Sequence, residues 1–221
     1  MRTSNVWAVI PAYNEQYSIA GIVRKTKKYV GNAVLVDDGS TDKTGEFARE
    51  AGAIVLKHIV NLGKGAALKT GCDFAVKNGA EFIIAIDADA QHSPNDIPRF
   101  IEKLKKYDIV FSYRKASRKM PFVLRFGNWF ISNITVLLYD VNLNDTQCGF
   151  RAFSKEAYKK IRWNAPDYSM ESEMIARAGK QSLKYVQIPI RTIYSDEYKG
   201  TTIIDGVKIV FNMIKWKLFK R

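Results

Sequence analysis

Short apolar runs rich in β-branched residues alternate with longer amphipathic segments through the first half of this chain. Such short runs predict buried strands, and apolar residues at helical spacing predict helices. The strands are predicted at Val6–Ile10, Ala33–Val36, Ile54–Leu56, Phe82–Ile86 and Ile109–Phe111, and the helices are predicted to begin near Gln16, Asp42, Lys64 and Asn95. Strands that alternate with helices form βαβ units, so we predict an α/β fold with a mostly parallel central sheet flanked by helices.

The second half of the chain, after Ser112, has a different pattern. A basic loop at Arg114–Lys119 leads into an aromatic-rich segment, Phe122–Tyr139, which we interpret as an interfacial helix. Further strands are predicted at Cys148–Phe153 and Leu183–Ile190, with helices near Lys155–Lys160 and Glu171–Gly179. The tail, Ile203–Arg221, places apolar residues at helical spacing beside lysines, which predicts a C-terminal amphipathic helix. No repeat or linker separates these segments, so we predict a single domain over residues 1–221.

The net charge indicates what kind of partner the chain attracts. Lysine and arginine number 35 against 22 acidic residues, which gives a formal net charge of +13. Such an excess attracts anions, among them nucleic acids, acidic membrane surfaces and phosphorylated substrates. The basic residues are spread along the chain and accompany no zinc finger or RNA-binding aromatic motif, so we expect no nucleic-acid partner.

Cysteine content and hydropathy indicate the compartment. Cys72 and Cys148 are too few for a disulfide framework and lack the spacing of a zinc site, which favours a reducing cytoplasm. The polar start at Met1–Asn5 is unlike a signal peptide, and no segment reaches the ~20 apolar residues of a membrane span. We therefore predict a cytoplasmic protein whose association with membranes is peripheral.

Acidic residues follow the most apolar of the predicted strands. Asp87, Asp89 and Gln91 come directly after it, where ligands bind in an open parallel sheet. Carboxylate and amide oxygens suit Mg²⁺ or Mn²⁺, and such an ion keeps positions free for a diphosphate. We favour this interpretation over simple helix capping, because Ser93 already supplies a cap. His92 could also bind the ion, but we interpret it as a structural or hydrogen-bonded residue.

Two other loops at the same edge contain polar residues. Asp37 and Asp38 precede Gly39 and Ser40, and a carboxylate there could accept from a ribose hydroxyl or a base N–H. The same four residues also form an ordinary turn, so both interpretations stay open. The segment Asn61–Gly65 has the glycines and the lysine of a small phosphate cradle, but it lacks the spacing of a P-loop.

Five motifs, taken in order, resemble those of family 2 glycosyltransferases, which have the GT-A fold. They are Pro11-Ala12-Tyr13-Asn14-Glu15, Val36-Asp37-Asp38-Gly39-Ser40, Asn61-Leu62-Gly63-Lys64-Gly65, Asp87-Ala88-Asp89-Ala90-Gln91-His92 and Asp145-Thr146-Gln147-Cys148-Gly149-Phe150-Arg151. Within that family the chain is most similar to the polyprenyl-phosphate sugar synthases, which transfer a sugar from GDP-mannose or UDP-glucose to a dolichyl or other lipid phosphate. The residues of the fifth motif resemble those of the glucosyl branch more than those of the mannosyl branch.

The resemblance implies a nucleotide-sugar-binding half at residues 1–112. The residues that it assigns to the nucleotide sugar are Pro11, Tyr13, Glu15, Asp37, Asp38, Lys64 and Asp87. Of these, the first three would line the nucleoside pocket, and one of the two adjacent aspartates would contact the base or the ribose. Asp87, Asp89 and Gln91 match the Asp-x-Asp-x-Gln motif that holds Mg²⁺ or Mn²⁺ and the diphosphate.

The resemblance also implies an acceptor half at residues 113–221, with interfacial helices. Arg114 and Arg125 fall where the synthases have arginines for the acceptor phosphate, and Lys199 stands where a further arginine is expected. Glu171 and Glu173 lie where related transferases have an acidic pair, with capping or surface salt bridging as the alternative. The catalytic residues implied are Asp89, Arg114 and Glu173.

The chemistry of a lipid phosphate agrees with this assignment. A lipid monophosphate is already largely anionic at neutral pH, so it needs no general base. We therefore predict a metal-dependent, inverting transfer of glucose or mannose from a UDP- or GDP-sugar to a polyprenyl phosphate at the cytoplasmic membrane face. The alternatives are a family 2 enzyme with a soluble sugar or polyol acceptor, and a non-enzymatic basic module that binds membranes peripherally.

Overall fold

A seven-stranded sheet forms the centre of the protein in the computed structural model, which describes residues 3–114, 122–191 and 203–218. The side chains of residues 4–114, 130–191 and 208–218 are described as well. The strands are β1 (Val6–Ala12), β2 (Asn32–Asp37), β3 (Ile54–Lys57), β4 (Phe82–Ala85), β5 (Ile109–Arg114), β6 (Arg151–Ser154) and β7 (Tyr185–Ile190).

The sheet has the order β3-β2-β1-β4-β6-β5-β7. Strands β1 to β4 pair in parallel, and β5 pairs in parallel with β7. Strand β6 lies antiparallel between β4 and β5. The predicted mostly parallel α/β sheet is confirmed, with one antiparallel strand from the second half of the chain inserted beside β4.

Eight α-helices flank the sheet in the described part of the chain. They are α1 (Ile19–Thr26), α2 (Thr44–Glu50), α3 (Lys64–Lys77), α4 (Ile97–Lys103), α5 (Phe122–Tyr139), α6 (Lys155–Ile161), α7 (Met170–Lys180) and α8 (Ile203–Leu218). None of the described helices is both long and apolar enough to cross a bilayer.

Each face of the sheet supports its own apolar core, because alternate residues of a strand point to opposite faces. On β1, Trp7 and Val9 pack into the core that contains α3, α5, α7 and α8. Ala8 and Ile10 pack into the opposite core, with side chains of α1 and α4. This two-sided burial explains why the central residues of β1, β2 and β4 are apolar on both faces of the sheet.

Several predicted boundaries differ from the observed ones, and hydrogen bonds explain two of the differences. Helix α1 begins at Ile19 and not near Gln16, because the backbone N–H groups of residues 14–16 donate to side chains of the loop after β2 and of the first residue of α2. Strand β6 begins at Arg151 and not at Cys148, because the Arg151 side chain binds the carbonyl oxygens of Thr146 and Cys148. Both deviations place loop residues at the edge where the parallel strands end.

Helix α8 confirms the predicted amphipathic C-terminal helix over its described length. Ile209 and Met213 are buried against the core shared with α5 and α7, whereas Phe211 is 68% and Leu218 is 70% exposed. The predicted N-cap at Ser93 is also confirmed, since its hydroxyl accepts from the backbone N–H of Asn95 at the start of a short 3-10 turn.

Candidate active site

A cavity of about 600 Å³ opens where β1, β2 and β4 end. Seven of the residues predicted for the nucleotide sugar and the metal line it: Pro11, Tyr13, Glu15, Asp38, Lys64, Asp87 and Asp89. Segments far apart in sequence meet here because the carboxyl ends of parallel strands share one edge of the sheet. Asn61, from the segment predicted as a phosphate cradle, also lines the cavity, and so do Asp167 and Tyr168, which were not predicted to do so.

The two adjacent aspartates after β2 have different surroundings. Asp38 is among the residues that line the cavity, and Asp37 is not. The Oδ1 atom of Asp37 accepts from the backbone N–H of Ser40 at 2.9 Å, and its carboxylate packs against the Cα of Gly45 in α2. Asp37 therefore stabilises the turn, and Asp38 is the one of the two carboxylates that lines the cavity.

Lys64, which lines the cavity, forms ion pairs with two acidic residues. The Nζ atom of Lys64 lies 2.8 Å from Asp87 Oδ1 and 3.1 Å from Glu171 Oε1. Burial alone would lower the pKa of Lys64, but the charges of Asp87 and Glu171 raise it well above its usual range. Burial alone would raise the pKa of Asp87, but the charge of Lys64 lowers it. Lys64 is thus a fixed cation beside the carboxylates proposed for the diphosphate site.

The pKa of Asp89 is shifted in the opposite direction to that of Asp87. Burial and the negative charge of Asp87 raise the pKa of Asp89 above its usual value. Its Oδ1 atom accepts from the backbone N–H of Gln91 at 3.0 Å, whereas the Gln91 side chain is not among the residues that line the cavity. A carboxylate that is costly to ionise next to another carboxylate is stabilised by a nearby cation.

Asp87 and Asp89 offer oxygen ligands that fit Mg²⁺ or Mn²⁺. In the described ranges, no group of three or more His, Cys, Asp or Glu side chains is arranged to hold a metal ion. The two aspartates therefore fit an ion that takes few protein ligands and fills its remaining positions with diphosphate oxygens and water.

Glu171 and Glu173 of α7 are both buried, but they differ in what they contact. Glu173 Oε2 accepts from the backbone N–H groups of Asn164 and Ala165, and its Oε1 accepts from Arg177 Nε at 2.9 Å. These contacts make Glu173 a structural anchor and do not support the catalytic role that the resemblance implied for it. Glu171 faces Lys64, and its buried Oε2 has no hydrogen-bond partner among the described residues.

The residues predicted for the acceptor phosphate are only partly described. Arg114, at the end of β5, binds Asp145 through two hydrogen bonds, Nε to Oδ2 at 2.6 Å and one terminal nitrogen to Oδ1 at 3.2 Å. The side chain of Arg125 and the whole of Lys199 lie outside the described residues. The predictions for these two residues stay predictions.

His92 packs as a core residue. Its ring is buried beside that of Phe150, and its Nε2 lies 3.8 Å from Asp87 Oδ2 and 3.9 Å from Cys148 Sγ. Burial lowers the pKa of His92 in spite of the neighbouring carboxylates, so the ring is neutral at physiological pH. These contacts agree with its interpretation as a structural residue.

Gly149, in the fifth motif, lies next to the Asp87 carboxylate. A Cβ atom at this position would lie 2.4 Å from Asp87 Oδ2, so the carboxylate would have to move. We expect Gly149→Ala to reduce sugar transfer by about 10²-fold, the scale of a misplacement of about 1 Å in an active site. Turnover of the purified variant, measured at saturating donor, tests this.

Gly21→Ala in α1 is the matched control, because a Cβ there meets no atom within 4 Å. It should keep full activity and gain a little stability, since alanine is favoured over glycine in a helix by about 0.5–1 kcal/mol. Wild-type turnover of Gly149→Ala would show that the position of the Asp87 carboxylate does not matter for transfer.

Comparisons with known proteins agree with this geometry. The family described as Glycosyl transferase family 2 matches residues 7–162. An uncharacterized protein of Methanocaldococcus jannaschii is 40% identical over 226 residues, which cover 97% of this chain and 93% of that protein. The UDP-N-acetylglucosamine-dolichyl-phosphate N-acetylglucosaminyltransferase of Methanococcus voltae is 33% identical over 244 residues, which cover 97% of each chain.

A solved structure shows the same fold. Glucosyl-3-phosphoglycerate synthase from Mycobacterium tuberculosis, in complex with uridine-diphosphate, has a TM-score of 0.75 at 19% identity. The similarity covers 98% of this chain and 81% of that chain. It confirms the predicted GT-A fold. Since the family match spans most of the sequence and the M. voltae enzyme is similar along nearly all of it, the chain belongs to glycosyl transferase family 2 and is a glycosyltransferase.

Proposed function

We propose that this glycosyltransferase transfers a hexose from a nucleotide sugar to a polyprenyl phosphate, with inversion at the sugar C1 atom. The observation that carries the proposal is the shared cavity, which brings Pro11–Glu15 and Asp38 together with Lys64, Asp87 and Asp89. One end suits a nucleoside and the other a diphosphate. The polyprenyl acceptor is supported by the relative from M. voltae, whose name states a dolichyl phosphate.

The donor would lie along the edge of the sheet in residues 1–112. The Asp38 carboxylate would accept a hydrogen bond from the base, and the Lys64 ammonium group would pair with the diphosphate. Asp87 and Asp89 would hold a Mg²⁺ or Mn²⁺ ion, which when bound stabilises the negative charge of the leaving diphosphate. These side chains are buried or half-buried, so each charge interaction is stronger than it would be in water.

The acceptor would approach from residues 113–221. An oxygen of the lipid phosphate forms the new bond to C1 as the bond from C1 to the donor diphosphate breaks, and the nucleoside diphosphate leaves. We assign Arg114 to the acceptor phosphate, because its pair with Asp145 fixes the guanidinium group at the end of β5. No general base is required, and the anchoring contacts of Glu173 fit that expectation.

The donor assignment is tested by thermal unfolding with UDP-glucose, UDP-N-acetylglucosamine and GDP-mannose, each with and without Mn²⁺. A ligand at 100 times its Kd should stabilise the folded state by about 2.7 kcal/mol. We expect the true donor to raise Tm mainly in the presence of the metal. The proposal fails if no nucleotide sugar stabilises the protein in either condition.

Helix α8 supports a peripheral location at the cytoplasmic membrane face. Phe211, Ile214 and Leu218 are exposed and lie along one stripe at i, i+3 and i+7, with Lys215 and Lys217 beside them. Exposed apolar residues next to lysines suit insertion at the boundary of an anionic bilayer. On α5, Leu137 is 82% exposed as well.

We expect the double variant Phe211→Asp, Leu218→Asp to lose binding to anionic vesicles while its melting temperature changes little, since both side chains are exposed. Co-sedimentation with vesicles at low salt measures the binding, and added salt should weaken it for the unaltered protein. Tyr17→Asp is the control, because Tyr17 is 97% exposed outside α5 and α8. If the unaltered protein does not bind vesicles at low salt, a soluble acceptor becomes the better proposal.

A further inference from the structure

Asp38 is held by three protein donors at the end of β2. Its Oδ1 atom accepts from His58 Nδ1 at 2.6 Å and from the Leu62 N–H at 3.0 Å. Its Oδ2 atom accepts from the Gly63 N–H at 2.8 Å. The residue is only 3% exposed, yet it lines the cavity. An ionised carboxylate has about four acceptor positions, so these contacts leave roughly one for a ligand.

His58 joins this carboxylate to helix α3. Its Nε2 atom lies 3.1 Å from Thr70 Oγ1 on that helix, so both ring nitrogens are engaged. Because an ionised Asp38 can only accept, the proton of a neutral His58 is assigned to Nδ1, and Nε2 accepts from the threonine hydroxyl. The ring cannot turn without losing both hydrogen bonds.

The loop between β3 and α3 packs tightly against Gly39, the residue after Asp38. Gly39 has φ 78°, and a Cβ atom there would lie 2.7 Å from the carbonyl carbon of Val60. This close approach is possible only because the position is a glycine. The loop backbone, Asp38 and His58 therefore form one fixed unit at the nucleoside end of the cavity.

We propose that His58 is a positioning residue that holds the Asp38 carboxylate toward the cavity and thereby sets the preference for the donor's base. The inference rests on the proposed function, in which Asp38 meets the base. A fixed carboxylate accepts from the N3–H of uracil or the N1–H of guanine. It is repelled by the lone pair that cytosine has at N3 and adenine at N1.

The expected preference is large enough to measure. A hydrogen bond to a charged group contributes about 1.5–3 kcal/mol, which is a tenfold to hundredfold change in affinity. Calorimetric titration of the full chain with UDP and CDP in Mn²⁺ should therefore show UDP binding at least about tenfold more tightly. If the chain prefers guanine nucleotides, GDP and ADP take the place of this pair.

Three variants separate positioning from general structural support. His58→Leu removes both ring hydrogen bonds and should reduce the ratio of the two affinities to near 1. His58→Asn keeps an N–H close to the Nδ1 position and should restore most of the ratio. Thr70→Val leaves the histidine in place but removes the contact at Nε2, so the ratio should fall only in part. Melting curves establish that each variant is folded.

The outcomes are distinct. If the unaltered chain distinguishes neither UDP from CDP nor GDP from ADP, the proposed contact between Asp38 and the base is wrong, whatever the role of His58. If the unaltered chain discriminates and folded His58→Leu discriminates as well, the inference about His58 is overturned. An equal loss of affinity for both nucleotides in His58→Leu, or no recovery in His58→Asn, also overturns it, because a purely structural defect does not depend on the base.

Discussion

Replacing Asp89 by asparagine is expected to reduce sugar transfer by about 10²–10³-fold while leaving the protein folded. Asp87 and Asp89 line the end of the cavity that we propose for the diphosphate, and an uncharged amide at position 89 is a poorer metal ligand than a carboxylate. Loss of one charged contact to the transition state costs about 2.7–4 kcal/mol, or 10²–10³ in turnover. The measurement is transfer of labelled sugar to polyprenyl phosphate in a buffer that contains Mg²⁺ or Mn²⁺.

The same substitution should not lower stability, and the pKa of Asp89 gives the reason. Burial and Asp87 raise this pKa in the folded protein, so the folded state holds the proton more tightly than the unfolded state. Stability contributed by this group is then lost as the pH rises through the raised value. Asparagine, which does not ionise, should make the protein as stable as the unaltered chain or more stable at pH 7, and the difference should vanish in acid.

Asp96→Asn is the matched control. It removes an acidic group from an exposed pair with Arg99, where the two side chains lie 2.7 Å apart, and it should leave activity unchanged. A folded Asp89→Asn variant with the turnover of the unaltered chain would show that the metal and diphosphate site is elsewhere.

The sheet could be predicted from the sequence because its signal is local. A strand buried on both faces contains a continuous apolar run, and β1, β4 and residues 33–36 of β2 have this property. The start of β6 could not be predicted in this way. Phe150 is apolar like a strand residue, but the side chain of Arg151 draws the preceding loop out of the sheet, and that contact depends on tertiary structure.

The candidate site could be located at the ends of the strands, but the choice between neighbouring residues could not be made. Glu171 and Glu173 are two positions apart on α7, so they point in different directions from the helix. Which of them faces Lys64 depends on how the helix packs. The choice between Asp37 and Asp38 could not be made for a similar reason, because their side chains lie on opposite sides at the end of β2.

His58 was missed because a single histidine after a strand has no spacing signal. Its contact with Asp38 exists because β3 is the neighbour of β2 in the sheet, which places the ends of the two strands side by side. The sequence of a single segment does not reveal which strands are neighbours in the sheet. The available clue was that His58 follows a predicted strand at the edge where the other site residues lie.

Arg151 is expected to be the charged residue whose loss most destabilises the fold. Its guanidinium group is 1% exposed and donates to the carbonyl oxygens of Thr146 at 2.6 Å, Cys148 at 2.8 Å and Glu171 at 2.9 Å. Burial lowers the pKa of Arg151, although nearby acidic groups such as Glu171 oppose that shift. The side chain thus ties the fifth motif to the start of α7.

We expect Arg151→Met to lower the free energy of unfolding by about 3–5 kcal/mol, because it leaves three buried carbonyl groups and the neighbouring acids without their partner. Arg151→Lys should be intermediate, since an ammonium group cannot reproduce the planar set of donors. Arg162→Met is the control, because its pair with Asp73 is about half exposed and should contribute no more than about 1 kcal/mol. Urea unfolding of the three variants gives the comparison, and a loss below about 1 kcal/mol for Arg151→Met would mean that the loop and α7 hold their positions without this side chain.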